Sequence, residues 1–120
     1  MRLVVDANIL VAELLRKRGR SLVAQSQLEL FIATRTLEEA WYELEKRAEI
    51  IVKKADASKK TVERTLDIAT RVVSENIYFA KLYEYQTFEE EARRRIPRDP
   101  KDWHTVALAL SLNADIWTQD

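Results

Sequence analysis

Six acids in this sequence stand where acids can act together. Asp6 follows the apolar pair Val4-Val5 in MRLVVDANIL, and Asp120 follows Ile116-Trp117-Thr118 in ADIWTQD. Asp99 and Asp102 open the stretch before ADIWTQD, and Glu39 and Glu43 lie one helical turn apart, so both can project along one side of a helix. Four carboxylates drawn into one place repel at roughly 4 kcal/mol per close pair in an effective dielectric near 20. Hard divalent cations bound through oxygen are the usual compensation. Mg²⁺ or Mn²⁺ acting on a phosphate is the chemistry such a cluster would carry. The set would be Asp6, one of the two glutamates, Asp102 and Asp120.

For those acids to meet, the chain must bring four segments to one edge. Residues 3–5 and 30–33 read as short buried strands, as do 77–79 and 115–118. Between them lie helical patterns. Residues 8–17 keep helical spacing through Ile9, Leu10, Ala12 and Leu14 up to a break at Gly19, and Ser21 is positioned to cap a short helix through residue 27. Residues 36–51 carry the apolar stripe Leu37, Ala40, Trp41, Leu44 and Ala48. Ser58 caps a long helix to residue 75, with Val62, Leu66, Ala69 and Val73 on one face. Thr87 is expected to cap the charged helix FEEEARRRI, which stops before Pro97. Pro100 suits the first turn of a helix running to about residue 112, with Asn113 as a left-handed stop. Strands separated by helices imply a parallel sheet of about four strands with helices on both faces, an α/β/α sandwich. In such a sheet ligands collect at the carboxyl ends of the strands, which is where Asp6 and Asp120 fall.

Composition is compatible with this and narrows the setting. The 120 residues suit one domain, 1–120, and a composition 47% hydrophobic and 33% charged is globular. There is no cysteine, which removes disulfides and thiolate metal sites and fits a reducing cytoplasm. No apolar run approaches the roughly 20 residues of a membrane span, and the first residues lack the apolar stretch of a secretory leader, so a cytoplasmic protein is expected. Twenty basic residues balance twenty acidic ones, so any affinity for nucleic acid must come from a local patch.

The blocks VVDANIL, LFIATRTLEEA and DPKDWHTVALALSLNADIWTQD together resemble the PIN-domain ribonucleases, especially the VapC-type toxins of prokaryotic toxin–antitoxin pairs, over essentially the whole chain. The resemblance implies a PIN-type sandwich and an endoribonuclease dependent on Mg²⁺ or Mn²⁺. It assigns Asp6 and Asn8 to a D-x-N pattern after strand one. LEE is similar to a block that favours Glu39 as the second acid, with Glu43 in reserve. Asp102, with Val106 and Ala107, matches the third acid, and Thr118 with Asp120 matches a closing T-x-D. Asp99 resembles an accessory acid. The expected catalytic and metal-holding set is therefore Asp6, Glu39, Asp102 and Asp120, with Asn8, Thr118, Asp99 and Glu43 accessory. The resemblance also implies a homodimer, RNA as substrate, and a small antitoxin that blocks the acidic groove. Family members continue past T-x-D with a D-F pair and a final strand, whereas the sequence here ends at Asp120.

Plainer roles stand beside these. Asp6 alone is an ordinary acid at a strand end, and Asp99 before Pro100 suits a helix N-terminus. His104 reads as a solvated first-turn residue, and Trp41, Trp103 and Trp117 as core or rim. The run Arg93, Arg94, Arg95, Arg98 and Lys101 is either a solvated face paired with Glu89, Glu90 and Glu91 or a phosphate rail, with Arg95, Arg98 and Lys101 nearest the acids in sequence. Two rival classes remain. A catalytically inactive PIN-like module, docking RNA or a protein partner, would lack acids that are present here. A phosphoryl-aspartate protein needs a lysine at a late strand end and, if a phosphatase, also a second Asp in D-x-D; this chain has Asn8 at that place and no such lysine.

Overall fold

The computed structural model describes residues 1–55 and 58–118. Its elements in chain order are β1 (Arg2–Val5), α1 (Ala7–Leu14), α2 (Lys17–Val23), β2 (Glu29–Ala33), α3 (Thr34–Ala55), α4 (Lys59–Asn76), β3 (Ile77–Ala80), α5 (Glu89–Arg95), α6 (Trp103–Leu112) and β4 (Asp115–Trp117). The four strands make one sheet in the order β3-β2-β1-β4, every pair parallel.

Strand alternation divides the apolar residues between two layers. Val5, Leu30, Ile32 and Ile77 point into a core closed by α1 to α4, through Leu10, Leu14, Val23, Leu37, Leu44 and Val73 among others. Val4, Phe31, Ala33 and Ala80 point into the opposite core, closed by Ala92 of α5 and by Trp103, Ala107 and Leu108 of α6. The result is the expected α/β/α sandwich. No described helix is long and apolar enough to cross a membrane.

Strand order creates the feature that matters for function. From β1 the chain steps outward to β2 and β3, then returns by α6 to place β4 on the other side of β1. The helices that follow β1 and precede β4 lie on opposite faces of the sheet. The carboxyl ends of β1 and β4 therefore border a crevice at the point where strand order reverses.

Several boundaries differ from the sequence reading. Gly19 does not break a helix: the break falls at Leu15–Arg16, and Gly19 is buried inside α2. It is glycine because α2 crosses α1 closely; a Cβ there would meet the Glu13 carbonyl oxygen and Cα at 2.1 and 2.6 Å. Ser21 lies within α2 and caps nothing, because that helix begins four residues earlier and ends at Val23. Thr87 lies in a short 3₁₀ turn, Gln86–Phe88, and α5 starts after it with no side-chain cap. A second such turn, Pro100–Asp102, precedes α6. Ser58 does cap α4, its Oγ accepting from the Thr61 N–H at 3.3 Å, and Asn113 ends α6 at φ 51°, ψ 47°.

Candidate active site

Asp6 leaves β1 in extended backbone and becomes the N-cap of α1, one carboxylate oxygen accepting from the Ile9 N–H at 2.8 Å. That bond fixes the carboxylate at the strand end while its second oxygen takes no hydrogen bond among the described residues. Asp102 ends the turn that Pro100 begins, its N–H donating to the Asp99 carbonyl at 3.2 Å. Its carboxyl makes no capping bond to α6, so the local structure leaves it to its neighbours. Glu39 lies in the second turn of α3 and faces the same cleft.

The two helices that carry Glu39 and Asp102 are pinned to each other. Thr36, one turn before Glu39, and Thr105, three residues after Asp102, are both buried, and their hydroxyls are 3.3 Å apart. Both threonines line the cleft beneath the acids. Sequence reading took Thr36 as a helix start and passed over Thr105. A small hydroxyl residue one turn from each acid, on otherwise apolar helix faces, was the available signal.

The cleft holds about 360 Å³ and is bordered by Asp6, Asn8, Glu39, Lys101, Asp102 and Thr118. Its electrostatics show in Asp102, whose pKa is raised above the usual aspartate value. Desolvation is the largest cause, followed by the charge of Asp99 and a hydrogen bond with it, then the charges of Glu39 and Asp6. Asp6, Glu39 and the Asp99–Asp102 turn, three separate segments of the chain, thus come close enough for Asp102 to respond to the other acids. Asp120 lies outside the described residues. Glu43, one turn beyond Glu39, is not in the cleft lining and pairs with Lys46 and Arg47, each at 3.8 Å.

As placed, no group of three or more acid or histidine side chains among the described residues is arranged to hold a metal ion. The donor chemistry nevertheless suits Mg²⁺ or Mn²⁺. The titratable donors of the cluster are carboxylates, and Mg²⁺ commonly keeps several waters and takes only one or two carboxylates directly. Asp6, Glu39 and Asp102 are the described residues that would hold such an ion, with Asn8 and Thr118 beside them as polar groups able to orient the acids.

His104 is not a solvated residue. Its ring stacks on Trp103 at 3.9 Å between centroids, and its Nδ1 lies 2.7 Å from the hydroxyl of buried Tyr85. Desolvation, then the nearby Arg35 charge, lowers its pKa. Trp103 is buried, whereas Trp41 and Trp117 pack partly exposed against the other core.

The basic run divides. Arg93 binds Glu89 at 2.9 Å and lies over the Trp103 ring, while Arg94 and Arg95 bind Glu91 at 2.6 and 3.0 Å. Arg98 takes part in no ion pair among the described residues and does not line the acid cleft; Lys101 does line it. The solvated, internally paired face thus describes Arg93 to Arg95, and Lys101 is the cation of that run placed among the acids.

The model of the PIN domain family matches residues 4–120. No curated protein matches the chain. PIN domains are generally metal-dependent nucleases.

Proposed function

The chain belongs to the PIN domain family, and on that premise we propose that it is an endoribonuclease dependent on Mg²⁺ or Mn²⁺. Asp6, Glu39, Asp102 and Asp120 form its acidic centre. The observation that carries this reading is the convergence of Asp6, Glu39 and Asp99 on Asp102 at the reversal of strand order, where desolvation first and then these neighbouring acids raise the Asp102 pKa. A fold that holds like charges together at a ligand-binding crevice bears a cost that a cation would relieve.

When bound, the ion would supply Lewis acidity toward the phosphate and a water of lowered pKa. The chain's own part is positional. The N-cap bond to Ile9 holds Asp6, and the Thr36–Thr105 contact sets α3 against α6, so that Glu39 and Asp102 keep their spacing. Lys101 beside the acids gives a phosphodiester a cationic contact. Single-stranded RNA is the substrate, since its backbone can bend into a narrow cleft and its bases are accessible. Family membership and the VapC-like blocks support a cytoplasmic toxin, acting as a homodimer and held in check by a small antitoxin.

Incubation of the purified protein with unstructured RNA and Mn²⁺ gives cleavage that EDTA abolishes. Cleavage that persists in EDTA removes the metal mechanism. RNA binding without cleavage under any divalent ion points instead to an inactive binding module.

A further inference from the structure

Next to the acid cleft lies a second hollow of about 510 Å³, lined by Thr34, Arg35, Glu38, Lys81, Leu82, Tyr85 and His104. His104 borders both spaces, so the two are neighbours. Their charges are opposite. The acid cleft has Asp6, Glu39 and Asp102 against Lys101, whereas the hollow has Arg35 and Lys81 against Glu38. Arg35 is held only by an exposed contact to Glu38 at 3.8 Å, and Lys81 takes part in no ion pair among the described residues. Exposed pairs of that kind are worth little and yield readily to a better anion. This contrasts with Arg93, Arg94 and Arg95, which are tied to Glu89 and Glu91. The remaining wall is apolar: Leu82 is 46% exposed, and the Tyr85 and His104 rings are fixed against each other.

We infer that this hollow is the subsite for a nucleotide neighbouring the scissile bond of single-stranded RNA, with Arg35 and Lys81 on the backbone phosphates, Leu82 and His104 against the sugar or base, and buried Tyr85 holding His104 in place. The assignment rests on the ribonuclease reading for its substrate and moves the phosphate contacts away from the 93–95 run. A pair of cations beside an apolar wall holds a single strand by its backbone without reading sequence. Its volume lies inside the roughly 300–1,000 Å³ of small-ligand sites.

The test uses the whole chain and a labelled oligouridine of about twelve nucleotides, within the span that single-strand sites cover. Binding is followed by fluorescence anisotropy in EDTA across a salt series, and cleavage is measured separately with Mn²⁺. Arg35→Ala with Lys81→Ala should weaken binding roughly tenfold and flatten the salt dependence by about 0.7 in log–log slope for each lost phosphate contact. KM for cleavage should rise with kcat little changed, and Arg35→Lys should recover part of the affinity. The control, Lys60→Ala with Arg64→Ala on α4, removes the same charge elsewhere and should leave affinity within about twofold of wild type, since it removes no phosphate contact. If wild type cleaves RNA but the double variant binds with unchanged affinity and slope, or the control loses as much, the subsite is wrong and the nuclease reading stands. If the double variant loses affinity while no preparation cleaves, the hollow stands as a site for single-stranded RNA and the nuclease reading falls.

Discussion

Asp6 and Asp102 are both acids of the cleft, but the fold uses them differently. Asp6 caps α1 and would leave an orphan N–H if truncated, whereas Asp102 makes no capping bond and bears the repulsion of Asp99, Glu39 and Asp6. Asp102→Asn should leave the metal-free protein as stable as wild type or more so, by at most on the order of 1 kcal/mol given screening in an open cleft. The sign follows from linkage. A folded-state pKa above the unfolded one means that stability falls as pH rises from the ordinary aspartate value to the raised one. The gain from Asp102→Asn is therefore present at neutral pH and fades on acidification, which thermal melts in EDTA at several pH values would show. Asp6→Asn keeps a good cap and should be nearly neutral, while Asp6→Ala should lose about 0.5–2 kcal/mol. The two glutamates separate by activity: Glu39→Gln should cost more than the roughly 10–100-fold lost with groups that only orient a metal's ligands. Glu43→Gln, which breaks only surface pairs with Lys46 and Arg47, should cost little; a larger loss at Glu43 would shift the acidic centre by one turn.

Helices set the spacing of these residues, and one constraint among them lies outside the acid cleft. The approach of α2 to α1 leaves no room for a side chain at Gly19, where the obstructing atoms are backbone atoms of Glu13 that cannot rotate aside. Gly19→Ala should therefore destabilise by roughly 1–3 kcal/mol, the range for forced overpacking, despite alanine's better helix propensity. A denaturation midpoint equal to or above wild type would mean that α2 can shift outward without cost. Since Asp6 caps α1, a displaced α1 also moves that acid, and cleavage should fall along with stability.

At the scale of the molecule, the acid cleft is a product of strand order. If β4 lay beyond β3 instead of beside β1, Asp6 and Thr118 would stand at opposite ends of the sheet. A cation bound where these ends meet ties β1, α3 and α6 together and stabilises the folded state by mass action, by about 2.7 kcal/mol at a hundred times its Kd. Melting temperature should rise with millimolar Mn²⁺ or Mg²⁺ and return with EDTA, and Asp102→Asn should lose most of the increment. Equal increments in wild type and variant would place the ion elsewhere.

Much of this was legible in the chain, for reasons of local physics. Short continuous apolar runs such as Leu30 to Ala33, buried on both faces, and helical stripes such as Leu37, Ala40, Leu44 and Ala48 are imposed by burial, so they declare strand and helix without knowledge of the partners. Ser58 and Asn113 were readable because a cap and a left-handed stop act within a few residues. Gly19 was misread because its reason is another helix: glycine marks either a break or a close approach, and only the packing of α1 on α2 distinguishes them. The same holds at the site. Sequence placed acids after β1 and before α6 by residue type and spacing. Three things required side chains from distant segments to meet in space: that Glu39 rather than Glu43 borders the cleft, that Thr36 and Thr105 join beneath it, and that His104 is fixed on Tyr85. The pairing of Arg93 to Arg95 along their own helix, which leaves Arg35 and Lys81 as the cations of the neighbouring hollow, was likewise a tertiary decision, because a charge's availability depends on which opposite charge reaches it first.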